Sequence, residues 1–299
     1  MLSLSFMRLL ASSVLSAALG LAPCFAQTSP QAPAATPVPP ERTVPIYQVT
    51  VVQRSLQAVN YQRHAGPTRV DLKGTVLLPK SEGEAKVEVK NGYTAIDASF
   101  KHLNPPTQFG TEYLTYVLWA ITPEGRAINL GEVIPDGSNK ANMRVTSPYS
   151  TFGLLVTAEP YFSVPYPSDV VVMESAVRPD TVGSVEEVQA KYDLLPRGQY
   201  TMHIKPKDLP SAAMKTPTGV SMNEYEAVLE LYQARNAVQI ARADGASQAA
   251  SQALQKAQGY LDDAEAAYTK KNYNAVTNSA RQAVQAASDA RAISMRRKS

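Results

Sequence analysis

The residues able to do chemistry in this 299-residue chain are few and scattered. Its three histidines, His64, His102 and His203, stand far apart and lack a close acidic partner, so no general base is oriented by its sequence neighbours. The patterns HExxH, HxH, GxSxG, Walker A and GxGxxG do not occur, which removes the usual metal, acyl-transfer and nucleotide signatures. Asp136-Gly137-Ser138-Asn139 resembles a fragment of a calcium loop, but the spaced acids and terminal glutamate are missing, and it predicts a turn. Asp262, Asp263 and Glu265 fall on a predicted helix where neighbours point different ways; they read as a solvated face. The single cysteine, Cys24, supports neither a disulfide framework nor a thiolate metal site. No catalytic, cofactor-binding or metal-ligating residue is assigned, and the chain reads as not an enzyme.

One stretch has residue types suited to a ligand: Pro160-Tyr161-Phe162-Ser163-Val164-Pro165-Tyr166-Pro167. Aromatic rings held by prolines, here Tyr161, Phe162 and Tyr166, form a candidate surface for stacking on sugars or extended peptides. The competing reading is a rigid loop between strands, covered by its own side chains.

The elements around that stretch divide the chain into parts of different period. Residues 1–26 read as a signal peptide: Arg8 gives the positive region, residues 9–22 are an apolar run, and small residues precede a cut before Gln27. Met1 and Met7 are both candidate starts. The apolar run of fourteen is shorter than the roughly 20 residues a transmembrane helix needs. An alternative makes Cys24 a lipidated cysteine; Pro23 directly before it, where lipoboxes take Gly, Ala or Ser, argues against this. Residues 27–42 hold five prolines in sixteen positions and read as an extended linker.

From residue 43 to 204 the period is two, and strands are expected at 70–78, 84–90, 93–100, 113–122, 126–134, 143–146, 152–158, 170–176 and 200–204. Asn91-Gly92 predicts a hairpin, both residues tolerating positive φ in a type I′ turn. Residues 113–122 are apolar on both faces, as in a central strand covered on each side, with Trp119, the only tryptophan, as a core residue. Short strands at this spacing point to an antiparallel Ig-like β-sandwich. After a second proline-rich linker at 205–220 the period changes to 3.6. Ser221 to Glu224 matches a capping box, and helices are expected to about 243, over 247–269 and over 273–294. Their narrow alanine stripes predict an antiparallel three-helix bundle over 221–295. The fold class is thus α+β in two domains, at about 150 residues per domain. The 29 basic and 26 acidic residues give +3, evenly spread, which excludes a nucleic-acid footprint.

The series Leu261, Ala264, Tyr268, Tyr273, Val276, Ala280, Ala283, Ala287 resembles a short helical domain of unknown function found in bacterial envelope proteins. That domain often precedes an OmpA-like, peptidoglycan-binding domain; no such domain follows here, so peptidoglycan binding has no motif behind it. The helical hairpin that carries Ala264, Tyr268 and Tyr273 is also similar to half a tetratricopeptide unit. Residues 113–133 are similar to β domains of the same envelope class and, more faintly, to the extracytoplasmic sandwich of anti-sigma-K factors. The resemblance implies an exported, non-catalytic envelope protein, periplasmic or associated with the outer membrane, with a structural or protein-interaction role. Its expected partner is an envelope protein, or a second copy, met through the helical domain; no cofactor, nucleic acid or membrane span is expected. The alternative is a carbohydrate- or peptide-binding module working through Tyr161, Phe162 and Tyr166. A third reading, an extracytoplasmic hydrolase, needs a Ser-His-Asp constellation gathered from distant strands.

Overall fold

The computed structural model describes residues 51–63, 66–193 and 221–298. The expected signal peptide and linkers, the strand expected at 200–204, Cys24, His64 and His203 lie outside the described residues. The fold is mixed α+β, an antiparallel sheet followed by helices.

The strands are β1 (Val51–Asn60), β2 (Thr68–Gly74), β3 (Glu82–Lys90), β4 (Tyr93–Lys101), β5 (Thr115–Ile121), β6 (Ala127–Val133), β7 (Ala141–Ser147), β8 (Thr151–Glu159), β9 (Val171–Ala176) and β10 (Ser184–Asp193). In place of two separate stacked sheets, ladders join all ten in the order β10-β1-β8-β9-β2-β3-β4-β7, with β5 on the other side of β8 and β6 beyond it. The sheet curls until β6 and β7 are neighbours; a side chain at Gly131 of β6 would meet Met143 of β7 at 3.7 Å. At Gly153 β1 crosses β8 so closely that a Cβ would lie 2.7 Å from Leu56 Cδ2 and 2.8 Å from the Gln57 carbonyl oxygen, so only glycine fits. The 91–92 hairpin forms, with Lys90 opposite Tyr93, but only Gly92 has positive φ, at 88°. A positive φ at the second central position alone is the requirement of a type II turn, so the type I′ expectation is corrected.

β5 shows why a strand can be apolar on both faces. Tyr116, Leu118 and Ala120 point into the curled sheet with Val70, Ile96, Phe100 and Leu154. Val117, Trp119 and Ile121 point the other way and pack with Leu155, Tyr161 and the helices. All seven β5 residues are buried.

The helices are α1 (Met222–Ala243), α2 (Ala246–Ala249), α3 (Ser251–Thr269) and α4 (Tyr273–Lys298). The Ser221 hydroxyl accepts from the Glu224 amide at 3.2 Å, capping α1 where the sequence places its start. The single helix expected over 247–269 is broken at Ala250, whose φ of −143° is not helical, leaving the short α2. α4 runs on to Lys298 and packs against both α1 and α3. Its stripe of Val276, Ala280, Ala283, Ala287 and Ala290 is wholly buried, and small side chains there let the three long helices approach closely. Among the described residues, sheet and helices belong to one compact unit and share one hydrophobic cluster. The boundary drawn at 205–220 therefore separates two layers of one body.

Candidate functional site

The chain leaves β8 at Glu159 and returns into β9 at Val171, and the loop between is the 160–167 aromatic stretch. It lies between the sheet and the helices, gripped from both sides. The Phe162 amide donates to Gln233 Oε1 of α1 at 2.7 Å. Asn129 Nδ2 of β6 donates to the Phe162 and Val164 carbonyls at 2.8 and 3.0 Å. From α4, Ser288 donates to the Ser163 carbonyl at 2.7 Å, and Gln285 accepts from the Ser163 hydroxyl at 3.1 Å. Asn236 Nδ2 of α1 spans the Glu112 and Pro160 carbonyls, 3.3 Å from each.

This placement corrects the candidate ligand surface. Tyr161 is 1% exposed, a core residue whose hydroxyl accepts from Arg291 at 3.4 Å. Phe162 is half-buried, and the Arg281 guanidinium stacks over its ring at 4.2 Å. Tyr166 alone is open, at 42%. The three rings do not assemble into a platform, because the prolines hold the loop against the helices instead of presenting it to solvent.

Beside Phe162 lies a cluster of charge that the sequence reading missed. Glu132 of β6 and Glu230 of α1 have side chains 3% and 2% exposed, and both meet Arg281 of α4, Glu132 Oε2 at 3.0 Å and Glu230 more closely. Glu132 Oε1 also accepts from Gln233 Nε2 at 2.6 Å and the Thr115 hydroxyl at 2.7 Å. Glu230 Oε2 is buried without a hydrogen-bond partner. Burial first, and repulsion from Glu132 second, raise the Glu230 carboxyl above the usual carboxylate range.

A second buried acid sits under the tryptophan. Trp119 Nε1 donates to the Thr157 hydroxyl at 2.8 Å, and that hydroxyl donates to Glu159 Oε1. The Ser168 amide donates to the same oxygen at 2.6 Å. Glu159 has no exposed surface, and burial pushes its carboxyl up to about 8 despite these bonds. At the far end of the helical layer Arg291, 1% exposed, pairs with Asp244, whose carbonyl accepts from the Ser294 hydroxyl at 2.5 Å.

The groups flagged by type take local roles. Asp136 Oδ1 accepts from the Ser138 amide and hydroxyl, at 2.8 and 2.7 Å, and from the Lys140 amide at 3.0 Å; the calcium-like fragment is a turn. Those bonds hold the Asp136 carboxyl below its ordinary range, the Lys140 amide contributing most. Asp262 and Asp263 are exposed, while Glu265 pairs with Arg235 at 2.9 Å. The His102 carbonyl accepts from Ser81 at 2.8 Å, and its ring is exposed. Among the described residues no three of His, Cys, Asp and Glu come together as metal ligands. A cleft between the 103–106 and 134–139 loops and Tyr225 and Leu229 of α1 has about 40 Å³ of free space, room for waters rather than an organic ligand.

Two of the missed residues carried a legible signal. Glu230 falls in the α1 stripe of Ala227, Leu231, Ala234 and Ala237, and Arg291 in the α4 stripe beside Ala287 and Ala290. A charge on an apolar stripe is a buried charge in need of a partner. Glu132, on a strand of mixed exposure, gives no such sign. Comparison with protein-family models, curated proteins and solved structures gives no match.

Proposed function

We propose that this is a non-catalytic interaction module of a bacterial cell envelope, exported through its N-terminal segment and displayed beyond a proline-rich spacer. The observation that supports this most is the engagement of its buried polar groups with one another. Gln233, Asn236, Arg281, Ser288 and Arg291 all bind sheet or loop partners across the seam. Such a seam holds two layers at a fixed angle, which suits a scaffold. Glu132 and Glu230, the pair closest to an acid–base arrangement, are too deeply covered for a substrate to reach.

In this reading the sheet is the folded base and α1, α3 and α4 act as a three-helix docking element, in keeping with the resemblance of 221–295 to an envelope helical domain. α3 is bonded to α1 through Arg235–Glu265 and Arg242–Gln258 and lies on the outside of the layer. Tyr260, Asp262, Asp263 and Tyr268 on α3 keep accessible surface for a partner protein or a second copy.

Cell fractionation with mass spectrometry of the mature N-terminus, followed by cross-linking of the native chain, tests this. The expected result is a chain beginning at Gln27 in the envelope fraction, with cross-links that Tyr260→Ala combined with Tyr268→Ala removes. A chain retained in the cytoplasm with residues 1–26 intact overturns the reading.

A further inference from the structure

The geometry of the seam raises a question of charge. Glu132 and Glu230 approach from β6 and α1, and the charged groups facing Glu230 are Glu132 itself and Arg281 of α4. Their other polar neighbours, Gln233 of α1 and Thr115 of β5, are neutral and both bind Glu132. Two ionised carboxyls against one guanidinium leave a net negative charge out of water, and that is strongly unfavourable. One proton removes it. A protonated Glu230 can donate to Glu132, a hydrogen bond that two carboxylates cannot make, and Glu230 Oε2 otherwise lacks a partner.

We propose that Glu230 holds a proton in the closed seam and donates it in a hydrogen bond to Glu132, and that losing it to solvent at alkaline pH opens the seam, releasing α1 and α4 from the sheet while β2, β3 and β4 stay folded. The separation between layers follows from the cores. The inside of the curled sheet is one cluster, from Val59 to Met173, and the helices contribute nothing to it. The seam cluster of Val117, Trp119, Leu155 and Tyr161 depends on the helices for its cover. Arg281 is the member of the triad nearest water, with 40% of its side chain exposed, so solvent has a route to the proton. The opened state bares Phe162 and the outer face of β5, which makes the joint a pH-dependent switch of the proposed docking element. It rests on the seam geometry and stands whether or not the envelope reading does.

Hydrogen exchange on the full chain, corrected for intrinsic amide rates between about pH 6 and about pH 9.5, reads this directly. In the native chain, protection of residues 227–241 and 161–164 should fall by up to about tenfold per pH unit for as long as the closed seam holds a proton that the opened seam releases, with β3 and β4 unchanged. Glu230→Gln keeps the hydrogen bond without the titration and should hold protection level across the range. The same fall in Glu230→Gln, or equal losses in α1 and β3, overturns the proposal. Should that variant not fold, Glu132→Gln decides, because Glu230 then faces Arg281 without a second carboxylate and must also give level protection. Glu159→Gln is the control for the other buried acid: it should retain the fall, and losing it there assigns the proton to Glu159 and overturns the proposal.

Discussion

On the outer face of the sheet, Glu82 with Lys101, Arg69 with Glu84 and Asp97 with Arg144 pair across neighbouring strands in water. Inside the seam, Glu132, Glu230 and Arg281 pair across three elements with little water present. The residue types are the same, and the difference is what surrounds them. An exposed pair exchanges hydration for a weak, screened attraction, so its loss changes little. In the seam the two glutamates have given up their hydration, so removing Arg281 leaves charge that neither solvent nor protein satisfies. Charge on the outer face keeps that surface soluble, whereas charge in the seam fixes which parts meet.

The sharpest way to break this comparison is to remove a buried cation. Arg291→Ala leaves Asp244 covered and unpaired and should cost roughly 3–5 kcal/mol in urea unfolding, enough to disorder the end of the helical layer. Replacing both partners, as Arg291→Met with Asp244→Ala, should cost less than Arg291→Ala alone. A single variant no weaker than an exposed one would remove the distinction between the two regions. Tyr161→Ala should be of similar size, about 3–5 kcal/mol, because it empties a fully covered aromatic site. Tyr166→Ala should stay within about 0.5 kcal/mol, since 42% of that residue is already in water.

Next in size is the pH dependence set by Glu159. Its folded carboxyl is raised to about 8, so the folded state holds a proton that the unfolded chain releases at ordinary carboxylate pH. The resulting stability is complete below about pH 4 and declines as pH rises, by up to about 1.4 kcal/mol per pH unit, until the folded group titrates. Urea midpoints across that range measure it, and Glu159→Gln should make the decline shallower, leaving the part that Glu230 carries. A profile that rises from acid to neutral in the native chain, and keeps its shape in Glu159→Gln, contradicts the burial argument.

The legibility of these regions in the sequence follows the same division. The outer strands were readable because one face is wet: Ala85, Val87, Ile96 and Ala98 alternate with polar neighbours, and the strand limits fall close to those expected. β5 was readable as a strand covered on both faces, though not what covered it. Alanine spacing gave the helices, and Ser221 gave the start of α1. The seam was not legible, because periodicity records that a face is buried without naming its partner. Tyr161 and Phe162 looked like a platform since prolines stiffen a loop equally well against solvent or against a helix. The long-range pairs Glu132–Arg281 and Phe162–Gln233 join residues on different elements, and no local rule links them. β1 and β10 were missed as separate strands because their pairing, Val51 opposite Asp193, is as distant as any in the sheet.

The smallest expected effect is also the cleanest test of the outer face. Arg144 of β7 donates to Asp97 of β4 at a strand pair where both side chains stay largely in water, 84% and 46% exposed. That contact lowers the Asp97 carboxyl and would pass for a strong ion pair on geometry alone. Solvent screens both charges and already hydrates each of them when they separate. Arg144→Ala should therefore leave the urea midpoint where it is, and added salt should not separate the variant from the native chain. A clear loss of stability, removed by salt, would show that the outer face also holds its strands together through charge. The contrast with the seam would then be one of degree, set by exposure, rather than of kind.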